Sequence, residues 1–517
     1  GRQQVKAPLS HKMRTCAILD LGGIRATTFR YACRSAASRA RCPAAARQLQ
    51  CRALSSSAPS HPLMDWVSSK GGTTDGVYLA DLKGEDGGSG WGLRSSQSTK
   101  EGQVLISLPT SLHLTYNEDA DPALLALIDK VPEELWGAKL GLRLLAERAR
   151  GESSSFAPYI SHLPLVYEGV PLFFSPQAVN QIQYPPVTEQ IKKRGRWLFN
   201  FWKEDLEPLA PEAGPFQGQA VDANAMGWAM AAVSSRAFRT RGPAQPASML
   251  PLIDMCNHSF SPNVEIKPAK DGVLLMAARE LAEGEPLLLN YGPLSNDFLF
   301  LDYGFVLPNN PHDRVDVSFD ATLLEMGRDL AGILDVPLGQ GRATQSNPGA
   351  IAPAPWQEKL LTELRLLGPD ADTKIEVGGS GHVDPRILAG LRVLYAKEES
   401  EVKALSLAQL QTWDGFLGRD NEEATIKTIA GMLAVALANF TSTLDTDRRV
   451  LEGAVKAAGE AGGQVDENVL LAIRFRAEKK QVLTTAVAAC GERLKNLAAL
   501  KAVGPSKGVT DKGFGKK

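Results

Sequence analysis

Pro251-Leu252-Ile253-Asp254-Met255-Cys256-Asn257-His258-Ser259-Phe260-Ser261-Pro262-Asn263 is the densest run of chemistry-bearing residues in this 517-residue chain. Asp, Asn, His and Ser bond to nearby backbone groups in competition with helix and strand, so the run predicts a tightly hydrogen-bonded loop. A metal site built on Asp254, Cys256 and His258 matches no zinc spacing, and the chain has no second ligand cluster. Cys256 and His258 are too close in sequence to face each other as nucleophile and base. Alone, then, the loop reads as a polar turn. Its meaning lies in what flanks it. Upstream, Ser235-Arg236-Ala237-Phe238 closes an expected helix over 223–238. Downstream, Asn290-Tyr291-Gly292 and Asp302-Tyr303-Gly304-Phe305 are expected at strand ends. Further upstream, Ser89-Gly90-Trp91-Gly92 lies between strands, where missing side chains let the backbone approach a ligand. A lone Gly-x-Gly, or a lone Tyr in a core, carries little; the ordered set carries the signal.

Working outward, residues 65–115 read as short strands broken by glycine, among them 76–79 and 103–107. Residues 120–225 change to helix, with 134–150 amphipathic and ended by Gly151, and further helices after Ser175 and Val187. Strand signals return at 272–277 and 286–290. Beyond about 320 the pattern is helical. Ile426, Ile429, Leu433, Leu437, Phe440 and Leu444 form one apolar stripe, and Leu483, Val487, Cys490, Leu494 and Leu497 another. A Gly/Pro/Ala stretch at 337–355 reads as a loop, and 501–517 as a disordered basic tail. The fold class is α+β, with a strand-rich first part interrupted by helices and an all-helical second part.

Composition narrows the function. Hydrophobic residues make up 44% and charged ones 22%, as in globular chains. The formal net charge of −1 hides an asymmetry. Of the 57 basic and 58 acidic residues, nine Arg and two Lys lie in residues 1–60 with a single acid, Asp20, so the rest carries about −11. An acidic body argues against nucleic-acid binding, which needs Lys and Arg to neutralise phosphate. No apolar run approaches the 18 or so residues of a membrane span. Residues 1–60, rich in Arg, Ala and Ser, have the composition of an organelle transit peptide. Four of six cysteines (Cys16, Cys33, Cys42 and Cys51) fall in that segment, leaving Cys256 and Cys490, which make no disulfide framework.

The ordered set resembles the SET-domain protein-lysine methyltransferases, in the branch of the Rubisco large-subunit methyltransferase. The matching features are Gly90-Trp91-Gly92, Ser235-Arg236-x-Phe238, Asp254-Met255-Cys256-Asn257-His258-Ser259, Asn290-Tyr291-Gly292 and Leu301-Asp302-Tyr303-Gly304-Phe305-Val306, spread over about 65–500. The resemblance implies a SET β-fold over 65–310 split by a helical insert at about 120–225, then an all-α substrate-binding domain over 311–500. It implies S-adenosyl-L-methionine as methyl donor and no metal. Gly90 and Trp91 would lie along that donor, Arg236 near its carboxylate, and Asn257 and His258 at its amino and adenine ends. Asp254 would brace the loop or touch the donor. Tyr303 would be the catalytic tyrosine, with Tyr291 and Phe238, and Arg236 beside them, lining the substrate channel. Many relatives have an acid where this chain has Ser89, which puts a donor contact from that side chain in doubt.

The same resemblance implies a protein substrate, the Rubisco large subunit or plastid fructose-bisphosphate aldolase, and the chloroplast stroma as the location. Mitochondrial presequences share the Arg-rich, acid-poor composition of 1–60. Two rivals keep the motifs: an inactive SET scaffold that binds a partner through its helical part, and a protein-histidine methyltransferase. Actin-histidine relatives share the Asp-Met-Cys-Asn-His core but carry Asn where this chain has Phe238. A histone methyltransferase fits less well, since its zinc-binding cysteine clusters are missing.

Overall fold

The computed structural model describes residues 61–82, 90–117, 121–209, 214–240, 246–333, 353–379, 381–413, 415–459 and 466–502. The expected transit peptide (1–60), Ser89, nearly all of the 337–355 loop and the tail beyond 502 lie outside the described residues. The chain divides into two compact units. The first runs to Pro176, then takes Gln190–Pro293 and Leu301–Gly304; the second takes Gln177–Glu189, Leu294–Phe300 and Phe305 onward.

In the first unit the glycine-punctuated segments form short antiparallel ladders. β1 (Val77–Asp81) pairs with β2 (Trp91–Ser95), Asp81 opposite Trp91. β3 (Val104–Pro109) pairs with β8 (Gly272–Ala277), which also takes β7 (Val264–Ala269) on its other edge. β4 (Ala237–Phe238) and β5 (Ser248–Met249) make a two-residue ladder. One pairing is parallel: β6 (Asn257–His258) lies beside β9 (Leu288–Leu289). Parallel strands need a long connection; here the β7–β8 hairpin supplies it.

The helical insert packs against these ladders. Helix Trp136–Ala149 buries residues on nearly every side, from Ala138 through Glu147, as a helix enclosed by its unit must. It lies against helix Ala223–Ser234, which Asp222 caps by accepting from Ala225 N at 2.7 Å. That helix ends four residues short of the expected 238. The Ser235 hydroxyl donates to Ala231 O at 2.8 Å, and the chain then leaves to enter β4. Leu105, Leu140, Ala229, Leu250 and Ile253 are fully buried in the shared core.

Two strand readings are corrected. The expected strand over 286–290 shrinks to Leu288–Leu289, because Asn263 takes the backbone around it: Asn263 Nδ2 donates to Pro286 O, and Leu288 N donates to Asn263 Oδ1. Asp302-Tyr303 does not follow a strand. It ends a helical run that starts after Ser295, where Asn296 N donates to Asp313 Oδ1 at 3.0 Å, and in which Asn296–Phe298 widens into the π-helical turn Leu299–Tyr303. Ser-Asn-Asp at the start favours that helix over a strand.

Among its described residues the second unit, expected to be all-helical, is mainly helical but holds one antiparallel ladder, β10 (Arg314–Ser318) with β11 (Lys374–Gly378). Its spine is helix Glu467–Ala502, which carries the whole second stripe and buries Leu483, Cys490 and Leu497. Helix Arg419–Ala438 packs on it and buries Ile426, Ile429 and Leu433. The first stripe outruns its helix: Phe440 sits in the turn after it and Leu444 starts the next helix. Among the described residues no helix is long and apolar enough to cross a membrane.

Candidate active site

Local strain opens the site. Leu252, fully buried, has φ +72° and ψ −47°, a γ-turn conformation that costs a β-carbon-bearing residue free energy. It tips the chain into the single turn Ile253–Met255 and aims the Asp254 side chain into the core. There Asp254 Oδ2 accepts from the Tyr159 hydroxyl at 2.6 Å and from Arg236 Nη1 at 3.4 Å. Arg236 Nη1 also donates to Asp254 O at 3.2 Å. Burial pushes the Asp254 carboxyl above its ordinary range, and Arg236 and the Tyr159 hydroxyl only partly offset it. Tyr159 is raised by burial and by Asp254, and Tyr167, raised chiefly by burial, adjoins Arg236. Desolvation is the largest influence on Arg236 and works against its charge, but Asp254, Tyr167 and Tyr159 together outweigh it, and the guanidinium is held above its ordinary value.

The next residue but one, Cys256, is buried, and its thiol is pushed up by desolvation and by Asp254. A thiol held protonated is no nucleophile. Its carbonyl matters more: it accepts from the Tyr291 hydroxyl at 2.6 Å. The parallel pairing of β6 with β9 makes this possible. By laying Asn257-His258 beside Leu288-Leu289, it brings Tyr291 over the loop, where Tyr291 N donates to His258 Nδ1 at 3.2 Å. The His258 and Tyr291 ring centroids are 5.0 Å apart. Tyr291 in turn stacks on Tyr303, with centroids at 5.1 Å and planes 22° apart. Burial raises both phenols, Tyr303 to about 12 with Asp302 adding to it, so both stay neutral at physiological pH.

The Gly90-Trp91-Gly92 segment, expected between strands, instead opens β2 with Trp91 and Gly92 and reaches the same loop. A Cβ on Gly92 would sit 3.2 Å from Asn257 Nδ2 and 2.4 Å from Leu82 Cδ1, so a side chain here would have to displace both. Among the described residues nothing lies within 4 Å of a Cβ on Gly90 (φ +95°), and Asn257 is exposed. Trp91 turns to the other face, its ring 5.2 Å from His61 and 6.4 Å from His162. Phe238, half-buried on β4, pairs with Ser248. Among the expected residues, Arg236 bonds Asp254; His258, Tyr291 and Tyr303 form a second contiguous group; and Arg236 and Asp254 lie near enough to act on the Tyr291 phenol, while Gly92 brings its strand against Asn257. Sequence reasoning missed Tyr159, Tyr167 and the Leu252 strain. Nothing local marks a tyrosine in a helical insert as the partner of a carboxylate 95 positions away. Among the described residues no three His, Cys, Asp or Glu side chains group as a metal site.

Comparison with known proteins agrees with this geometry. Residues 90–292 match the SET domain family, and 350–483 match the Rubisco LSMT substrate-binding family. The actin-histidine N-methyltransferase of Xenopus tropicalis is 25% identical over 77% of this chain and 69% of its own length. Human SET domain-containing protein 4 is 31% identical over 55% of this chain and 68% of its own. The crystal structure of the SET domain of LSMT bound to lysine and AdoHcy superposes with a TM-score of 0.59 at 18% identity, over 84% of this chain and 92% of that one, a likeness of fold. The chain belongs to the SET-domain methyltransferase family, in the branch that joins a SET domain to a Rubisco LSMT-type substrate-binding domain.

Proposed function

We propose that this SET methyltransferase is a protein-lysine N-methyltransferase using S-adenosyl-L-methionine, with its acceptor lysine in a plastid stromal protein, the Rubisco large subunit or plastid fructose-bisphosphate aldolase. The observation that carries the reading is the β6–β9 crossing, which gathers His258, Tyr291 and the Cys256 carbonyl into one wall continued by Tyr303. The residues suit the donor. Asp254 Oδ1 is buried with no hydrogen-bond partner among the described residues, an acceptor that an ammonium group would satisfy. Arg236 suits a carboxylate, and Asn257 and His258, with Gly90 beyond the Gly92 approach, offer polar and open surface for the remainder, while the Trp91 ring faces away toward His61. The donor supplies a methyl group activated by its sulfonium.

The chain's own residues supply position and desolvation. A lysine amine attacks only when neutral, and its reference pKa is near 10.4. A channel walled by Tyr291, Tyr303 and Phe238 disfavours the ammonium and lowers that pKa. The neutral Tyr303 hydroxyl orients the amine lone pair, and alignment of the reacting atoms supplies much of the acceleration. Aromatic faces also hold the methylated ammonium by cation–π contact worth about 0.5–2 kcal/mol. Tyr291 competes for the catalytic role, because its hydroxyl is already fixed on the Cys256 carbonyl inside the loop.

Histidine is the second acceptor reading, favoured by the likeness to actin-histidine methyltransferase. Incubating the recombinant protein with labelled donor and plastid extract, followed by mass spectrometry, separates the readings. Methyl-lysine on Rubisco or aldolase supports the first, methyl-histidine the second, and donor binding without turnover a scaffold. The pH profile is an independent check. Rate on a lysine peptide rises from about pH 7 to 9 as the amine deprotonates, whereas rate on histidine levels off above its reference value of about 6.5.

A further inference from the structure

Tyr303 sits on the last residue of a π-helical turn, Leu299–Tyr303, a geometry that leaves the backbone wider and less tightly bonded than an α-helix. Such a turn holds a side chain in place only if something outside it does the holding. Two supports are visible. Behind Tyr303 the backbone of Gly304 (φ +76°) runs against Gly169, so close that a Cβ on Gly169 would come within 2.5 Å of Gly304 O. Beside it stands Arg194, from helix Pro185–Phe201. Its Nη1 and Nη2 donate to the two Asp302 carboxylate oxygens at 2.6 and 3.3 Å, and Nη1 also donates to Leu301 O at 3.2 Å. A guanidinium fork matches a carboxylate in this two-pronged way, and an ammonium does not.

The pair is not an idle surface bridge. The Asp302 side chain is 18% exposed and the Arg194 side chain 33%. Both line a cavity of about 20 Å³ with Val170, Ile191, Met230 and Leu301. Without the guanidinium, the turn has an unpaired carboxylate and empty apolar space to relax into.

We infer that Arg194 is a positioning residue for the tyrosine pore: by bonding Asp302 and the Leu301 carbonyl, it fixes the turn that sets where the Tyr303 ring stacks on Tyr291. This rests on the methyltransferase reading. It holds whichever of the two phenols acts on the amine, because the rings are stacked. A ring displaced by an ångström misplaces the acceptor, and it also changes the room left for a nitrogen already carrying methyl groups.

The test compares Arg194→Gln, Arg194→Lys and the Arg194→Gln/Asp302→Asn double variant. In Arg194→Gln, kcat falls by about tenfold to a hundredfold, the cost of a small misplacement. Donor affinity and substrate KM stay within about threefold, and the ratio of mono- to higher-methylated product shifts. Arg194→Lys falls between wild type and Arg194→Gln, since it restores charge but not the fork. The double variant recovers melting temperature by removing the unpaired carboxylate, but not rate. A wild-type kcat and product ratio in Arg194→Gln overturns the inference. So does a double variant in which rate returns together with stability.

If the wild-type protein itself turns over no substrate, the methyltransferase reading fails, and positioning is read by NMR of isotope-labelled tyrosine Cζ. Arg194→Gln moves the Tyr303 resonance, identified by its loss in Tyr303→Phe, and leaves that of Tyr159 in place. An unmoved Tyr303 resonance overturns the inference.

Discussion

Both units bury an aspartate beside an arginine, and the two aspartates respond in opposite ways. In the second unit Asp447 takes four bonds: Arg476 Nε at 3.1 Å and Nη2 at 2.8 Å, Lys480 Nζ at 2.6 Å and Ser442 Oγ at 2.9 Å. Burial works against its charge, but those donors outweigh it and hold the carboxyl below its ordinary 3.8. In the first unit Asp254 has a longer contact to Arg236 and one phenol, leaving Oδ1 without a hydrogen-bond partner among the described residues. There burial wins and the carboxyl rises above 3.8. A buried charge that is fully bonded holds a fold together; one left short keeps capacity for a ligand. For these two clusters the difference marks Asp447 as saturated and Asp254 as open to a further donor.

That contrast can be broken by experiment. Asp447→Ala strands Arg476 and Lys480, both buried, and costs about 3–5 kcal/mol of stability in denaturant unfolding, while donor affinity of the folded protein is unchanged. An equal loss of donor affinity would erase the distinction between the clusters. Asn257→Ala acts the other way round. It weakens S-adenosyl-L-methionine binding by about 1–3 kcal/mol in calorimetry, with little change in stability, because the side chain is exposed in the free protein. Tyr303→Phe keeps donor affinity and slows methyl transfer by at least about tenfold, about 1.4 kcal/mol. Tyr291→Phe, measured alongside, shows which phenol acts.

The smallest effect sharpens the comparison through pH. Asp447, with its lowered carboxyl, contributes stability that is present above about pH 4 and is lost as pH falls through its folded value. Asp254, with its raised carboxyl, contributes in the opposite sense: fully below about pH 4, and lost as pH rises through its folded value. Unfolding curves taken from about pH 2 to 8 should therefore lose their acid limb in Asp447→Asn and flatten at higher pH in Asp254→Asn. The same direction of change in both variants would contradict the assignment.

Some of this was legible from residues alone. The helix over 134–150 emerges as Glu133–Leu135 followed by Trp136–Ala149, because one segment carries its own periodicity and the following Gly151 takes φ +57°. The strand over 272–277 is read correctly for the same local reason. The reading failed where a distant residue decides conformation. Asn263 holds the backbone of 286–288 and cuts a strand to two residues. Asp302-Tyr303 looked like a strand end until Ser295-Asn296 started a helix before it. The apolar stripe across Phe440 and Leu444 kept its spacing through a turn, since periodicity records which side chains are buried and not whether the chain is continuous.

By itself the sequence determined the inventory: a basic stretch over residues 1–60 and an acidic remainder, short glycine-broken strands, an amphipathic helical second half, and an ordered set of Gly-Trp-Gly, Arg, Asp, Asn-His and two tyrosines. These follow from composition, local propensity and order, which need no long-range contact. Only the tertiary structure decided which of them meet. The parallel pairing of Asn257-His258 with Leu288-Leu289 lifts Tyr291 onto His258, the strained Leu252 turns Asp254 inward to Tyr159, and Arg194 clamps the turn beneath Tyr303. Each of these joins residues from 30 to more than 100 positions apart. Such contacts arise from packing and burial of the whole unit, and no local stretch of chain encodes them.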